Sequence, residues 1–339
     1  MKPLALGNVT VTSIVERDGP WRAPEVMYPT CDKETALAHL KTMEPYVYDT
    51  LQNMLVITYQ TYIVRTPHHT ILIDTCLGEN KGYGPPHDFS KKPWLDGMAA
   101  NGLSFEDIDY VFCTHLHIDH CGWNTRLING RWVPTFPNAK YIFSRKEYAA
   151  WEEETKKGSR PPGNVWSQNC LPIVEAGQAL LVEDDFALDD TIWLTPTPGH
   201  SPGHVCVNLK SGGKQGLFSG DMMHHALQCI EPDWSSCFCW DADQSARTRR
   251  KVLESVADTD TVVMPAHFPG PTAGHVVGGD GVRAGLSADP AVATRPDRRP
   301  GRGRDLPPGQ RLPVWPEPLL LDLALRLSGD PVAAGTGGG

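Results

Sequence analysis

The chain has 339 residues, 40% hydrophobic and 21% charged, the composition of a globular protein with one large domain or two ordinary ones. Its formal charge of -9, with Lys and Arg scattered except near the C-terminus, argues against a nucleic-acid partner. Met1 to Asn8 carries no long apolar signal core and no later stretch has the apolar length of a membrane span, so the expected location is the cytoplasm.

In chain order, Val9 to Val15 alternates like a half-exposed strand, and Met54 to Val64 with Thr70 to Asp74 reads as a hairpin turning at Pro67-His68-His69. The apolar run Tyr110-Val111-Phe112-Cys113 predicts a buried strand, and Tyr141 to Phe143 another. Arg145 to Lys157 has helical spacing, and Asp241 to Val256 reads as a longer helix capped by Asp241 or Asp243. Ile192 to Leu194, His204 to Leu209, Gly216 to Ser219 and Thr261 to Met264 supply later strands. Such irregular alternation predicts a layered α/β or α+β domain.

From Val277 to Gly339 the material changes: no Lys, His, Cys, Met, Phe, Tyr, Ile or Asn occurs, and Gly with Pro makes up a third. The expectation is a main domain over 1–276 and a Gly/Pro/Arg-rich tail over 277–339. That tail is expected to be disordered, apart from a leucine cluster at 319–325, or to be read out of frame in a GC-rich gene.

Directly after the strand ending at Cys113 comes Thr114-His115-Leu116-His117-Ile118-Asp119-His120, with four metal donors within six residues. Imidazole and carboxylate suit borderline divalent cations such as zinc. Side chains two apart in an extended loop point the same way, so His115 and His117 reach one ion, while Asp119 and His120 turn toward a neighbouring position. Either position needs further donors, and other strand ends offer them: His200 in the run Pro196 to His204, Asp221 after Phe218-Ser219-Gly220, and His267 after Val263-Met264-Pro265-Ala266. A structural zinc closes with four ligands and would not offer seven candidates.

Nine cysteines without a C-x-x-C pair read as reduced thiols. Cys113 and Cys206 are expected to pack as small hydrophobes, Cys121 to pack or to tune the cluster beside it, and Cys237-Phe238-Cys239 is a weaker metal motif.

The order H-x-H-x-D-H, His, Asp, His resembles the metallo-β-lactamase superfamily over roughly residues 5–276. The stretches Pro198 to His204 and Ser219 to His225 look most like its methyl parathion hydrolase and lactonase branch. The resemblance implies a four-layer αββα sandwich of two mixed β-sheets flanked by helices, with a dinuclear metal site at one edge. It implies His115, His117 and His200 at one ion, Asp119, His120 and His267 at the other, Asp221 bridging both, and Asp74 supporting a ligating histidine. The cofactors implied are two divalent ions, zinc by default, with manganese, cobalt or iron able to use the same donors. A bridging hydroxide oriented by Asp119 would attack an ester, lactone or phosphotriester. Penicillin hydrolysis is not expected, because a carboxylate stands where the β-lactamase branch has cysteine. The alternatives are a glyoxalase II-like thioesterase or iron persulfide dioxygenase, whose glutathione-reading basic residues are not evident, and a non-catalytic binding protein on the same fold.

His224 and His225, just past Asp221, are assigned equally to substrate contact or to ligand support, and His204 to packing at a strand start. His68, His69, His87 and His275 are expected at the surface. Trp21, Tyr28, Trp94, Trp123, Trp166 and Trp234 are expected to wall a pocket for a neutral, moderately apolar small molecule, with Trp123 also a candidate to contact substrate or support the ligands. A homodimer is admitted as a partner; nucleic acid and membrane are not.

Overall fold

Alternation of side chains along the strands sets the layers. In Tyr110–Phe112 and Lys140–Ser144, the side chains of Val111, Tyr141 and Phe143 face one way and those of Phe112 and Ile142 the other. The first set packs with Trp94 and Met98 of the helix Lys92–Ala100 and with Tyr148 and Trp151 of the helix Arg145–Lys157. The second set packs with Val207, Leu209, Phe218 and Met264 of another sheet. That sheet's far face, through Cys206, Leu217 and Val263, meets Leu253 and Val256 of the helix Ala242–Val256. Helix, sheet, sheet and helix make the expected αββα sandwich.

The computed structural model describes residues 1–43, 45–84, 86–158, 165–270, 272–278 and 285–288, all within the unit Met1–Thr294. The first sheet runs in space Leu4–Leu6, Val9–Arg22, Met54–Arg65, Thr70–Ile73, Tyr110–Phe112, Lys140–Ser144, Ala179–Val182, with Tyr48–Asp49 also beside Met54–Arg65. Its last four strands are mutually parallel and the others antiparallel. The second sheet runs Ile192–Pro196, Val205–Ser211, Lys214–Gly220, Thr261–Pro265, Gly274–Val277, Gly285–Ala288, with the third and fourth strands parallel.

Two details differ from the sequence expectation. The strand starting at Val9 continues to Arg22, breaking register against Met54–Arg65 between Val15 and Arg17 and again between Pro20 and Arg22. Extra residues in a paired strand hide the alternation that would reveal its length. Strand pairing also runs past residue 276, because Gly285–Ala288 pairs antiparallel with Gly274–Val277. The rest of the expected tail, 279–284 and 289–339, lies outside the described residues. Asp241, not Asp243, caps its helix by accepting the Gln244 N–H. Among the described residues no helix is long and apolar enough to cross a membrane.

Candidate metal centre

Four strand ends converge on one edge of the sandwich. Tyr110–Phe112 leads to His115, His117, Asp119 and His120, Ile192–Pro196 to His200, Lys214–Gly220 to Asp221, and Thr261–Pro265 to His267. Parallel neighbours such as the last two strands necessarily end on the same side, where open α/β sheets gather their ligands.

The donor atoms fall into two main sets. Those of His115, His117, His200 and Asp221 lie within 4.8 Å of one another, as do those of Asp119, His120 and His267. Asp221 faces both. Its Oδ2 lies 3.2 Å from His200 Nε2 and 3.6 Å from His115 Nε2, and its Oδ1 lies 2.8 Å from His267 Nε2 and 3.1 Å from His120 Nε2. Within the first set, His117 Nδ1 is 2.9 Å from His115 Nε2 and 2.8 Å from His200 Nε2.

Hydrogen bonds behind the rings select the tautomers. His120 Nδ1 donates to Asp74 Oδ2 at 2.8 Å, and His267 Nδ1 to the Thr58 carbonyl at 2.9 Å. Thr114 Oγ1 donates to Asp74 and can accept from His115 Nδ1 at 3.1 Å. Each Nε2 lone pair is thereby aimed at the common centre, the arrangement in which protein-bound histidines present themselves to a metal. Lone pairs facing one another at these distances repel, and Asp221 Oδ1, although buried, has no hydrogen-bond donor. Cations between the donors relieve both conflicts, so this donor set fits two divalent ions.

The backbone around the centre is specialised. Asp74 adopts φ 58°, a left-handed conformation unusual outside glycine, and from there its Oδ1 also accepts the Thr114 N–H at 2.8 Å. Gly220, at φ 49°, precedes Asp221, and a Cβ there would stand 2.7 Å from His204 Nε2. His204, expected only to pack at a strand start, supports the centre: its Nε2 accepts the Asp221 backbone N–H at 3.0 Å, and its Nδ1 pairs with Thr197 Oγ1 at 2.8 Å.

The structure separates His224 from His225. His224 Nε2 stands 3.1 Å from Asp221 Oδ2, and with Asp221 and His267 it forms a third group of adjacent donors. His225 does not reach the site: its Nδ1 accepts the Leu227 N–H at 3.1 Å and its Nε2 donates to the Val47 carbonyl at 2.9 Å. Trp123 is likewise a correction. It is buried in the core, stacked on Trp94 at 4.5 Å, with its indole N–H on Glu16. Tyr28, Trp94 and Trp234 are buried too, and of the six expected wall residues Trp21 borders the centre through Tyr59, whose ring is 5.6 Å from His267. His87, expected at the surface, is half-buried 5.3 Å from Trp21, and burial pushes its pKa down to about 4. Neither Cys237 nor Cys239 joins the donor groups; Cys239 Sγ lies behind His200, 3.7 Å from its Nδ1. Glu147 was not legible as a site residue. This buried helix carboxylate accepts the N–H groups of both Leu116 and Gly203, inside two ligand loops.

Fold and donor set together define an αββα protein with a metal-binding edge. The sequence profile of the metallo-beta-lactamase superfamily matches residues 57–267, more than half of the chain, and the chain belongs to that family. It is similar to an N-acyl homoserine lactonase of Bacillus cereus, 27% identical over 180 residues, which are 49% of this chain and 63% of the relative. It is also similar to an atrochrysone carboxyl ACP thioesterase of Claviceps purpurea (strain 20.1), 26% identical over 206 residues, 59% of this chain and 53% of the relative. The chain thus spans less than two thirds of these curated relatives. Two solved structures share the fold. One is the hydrolase AbOPH of the beta lactamase superfamily (TM-score 0.72, 22% identity, covering 85% of this chain and 96% of that one). The other is AidC, a dizinc quorum-quenching lactonase in complex with a product (TM-score 0.69, 21% identity, 85% and 97% covered).

Proposed function

We propose that this protein is a dinuclear metal-dependent hydrolase that opens an ester or lactone bond, with phosphotriesters within reach of the same chemistry. The observation that carries the reading is Asp221, whose two oxygens face different histidine sets. His115, His117 and His200 would hold one ion, Asp119, His120 and His267 the other, and Asp221 would bridge them. Bound there, two divalent cations, zinc by default, would lower the pKa of water from about 15.7 toward 7 and polarise a carbonyl or phosphoryl oxygen.

The chain's own residues do the positioning. Asp119 is the least buried carboxylate of the set, with 17% of its side chain exposed, so it faces arriving substrate and accepts a hydrogen bond from the attacking water. Asp74 fixes the His120 ring, and His204 fixes the backbone of Asp221. The similarity to lactonases supports a lactone, and the similarity to the Claviceps thioesterase makes a thioester the second reading.

The test is a panel of lactones, aryl esters, phosphotriesters and thioesters offered to the zinc-loaded full chain with and without chelator. Turnover of lactones or esters that chelator abolishes and zinc restores is expected. Two bound ions with no turnover across the panel would overturn the reading.

A further inference from the structure

Beside the centre, closing on its ligand His267, lies a circuit of side chains in which Tyr59, Trp21, Arg22 and Phe238 have no part in the proposed hydrolysis. His267 is 5.6 Å from Tyr59, and Tyr59 is 5.8 Å from Trp21. The Arg22 guanidinium sits 5.5 Å from the Trp21 ring and 5.0 Å from that of Phe238. Phe238 returns to His224 at 6.4 Å, and His224 stacks on His267 at 5.5 Å. Arg17 backs the same wall, its guanidinium 5.0 Å from Trp21 and 5.9 Å from Tyr59.

Both arginines lie where the strand Val9–Arg22 breaks register, the positions at which a bulge re-aims a side chain. Both hold donors in reserve. Arg17 Nη2 bonds the Pro20 carbonyl at 2.8 Å, while Arg17 Nη1 and Arg22 Nε are shielded from solvent without a partner. The neighbouring Asp18 acts on the Arg17 guanidinium through its charge while its Oδ1 accepts Thr58 Oγ1 at 3.0 Å. A charged donor shielded from water without an acceptor is unfavourable, and a ligand supplying the acceptor removes that penalty. A guanidinium stacked on rings leaves its edge free, and that edge matches the two oxygens of a carboxylate.

We propose that this circuit is an anion-reading subsite, and that the substrate carries a carboxylate held by Arg22 and Arg17, on an apolar portion lying against Trp21, Tyr59 and Phe238. The inference rests on the hydrolase reading above and replaces the neutral substrate expected from sequence. The aromatic walls take the apolar body as expected, and the two cations select for charge at its end.

The test has two arms, both on the zinc-loaded full chain. Calorimetry compares benzoate with benzamide for the wild type, Arg22→Gln, Arg17→Gln and Arg22→Lys. Benzoate should bind at least tenfold tighter than benzamide, Arg22→Gln should remove that preference, Arg17→Gln should reduce it, and Arg22→Lys should keep part of it. Kinetics compares monophenyl succinate with its methyl ester. Arg22→Gln should lower kcat/KM for the anionic ester at least tenfold more than for the neutral one. Equal affinity for benzoate and benzamide, or a benzoate preference surviving in both glutamine variants, overturns the subsite. Binding is read without turnover, so failure to hydrolyse any ester would sink the hydrolase reading while the benzoate arm still decides the anion site.

Discussion

The Glu147 carboxylate accepts the Gly203 backbone N–H through Oε2 at 2.8 Å, and through Oε1 it accepts the Leu116 N–H at 3.1 Å and the Trp151 indole N–H at 2.8 Å. One buried side chain therefore ties the loop carrying His115 and His117 to the loop carrying His200. No side chain fits at Gly203, where a Cβ would stand 2.2 Å from Glu147 N.

Glu147→Gln replaces one acceptor oxygen by an NH2 group facing a backbone N–H. Outer supports of metal ligands are typically worth about 10- to 100-fold in metal affinity or activity, and a loss in that range is expected here. Metal retained after dialysis, read beside kcat/KM on the best ester of the panel, measures it; wild-type retention would refute the tie.

Asp221→Ala should abolish hydrolysis and deplete one equivalent of metal, because no other described carboxylate faces both histidine sets. Asp74→Ala should act more mildly, lowering affinity for the His120 ion by about 10- to 100-fold while Asp221 still bridges. Metal titrations of both variants settle the pair, and full activity of Asp221→Ala with two ions bound would end the bridging assignment.

Glu16 makes stability pH-dependent. Burial pushes its carboxyl up from 4.5 to about 7, against the pull of Lys91 and of the N–H groups of Leu77, Gly78 and Trp123. The folded state then binds the Glu16 proton more tightly than the unfolded chain. Its contribution is fully present below pH 4.5 and is lost as pH rises through about 7. The stability difference between wild type and Glu16→Gln should therefore shift by on the order of 3 kcal/mol between pH 4 and pH 8, with wild type losing ground. Denaturant titrations at both values measure it, and a difference independent of pH would show that Glu16 titrates normally.

Arg249 is fully buried in the helix Ala242–Val256 and donates to the carbonyls of Met222 and Pro232 and to Ser245 Oγ. Arg249→Met strands the carbonyls of Pro232 and of Met222, the residue after Asp221, at about 1–3 kcal/mol for each one left unsatisfied. A fall in denaturation midpoint without a change in m-value is expected, and an unchanged midpoint would contradict this account.

Much was legible before any fold was drawn. Strand cores, the helix Arg145–Lys157 and the order of donors at strand ends are local properties, set by side-chain period and by spacing of a few residues. The strand to Arg22 was read short because its bulges interrupt that period. His224 and His225 are adjacent in sequence and could not be told apart there, since one turn of chain past Gly220 decides which of them meets Asp221.

By itself the sequence determined the chemistry available: which donors exist, at which strand ends, and hence the family to which they belong. Only the tertiary structure decided which side chains meet. It put Asp221 between two histidine sets, buried Trp123 against Trp94, made Glu147 a tie, and turned two arginines toward an aromatic wall. The physical reason is that contacts between residues far apart in the chain depend on strand register, bulges and layer packing, which no local spacing encodes.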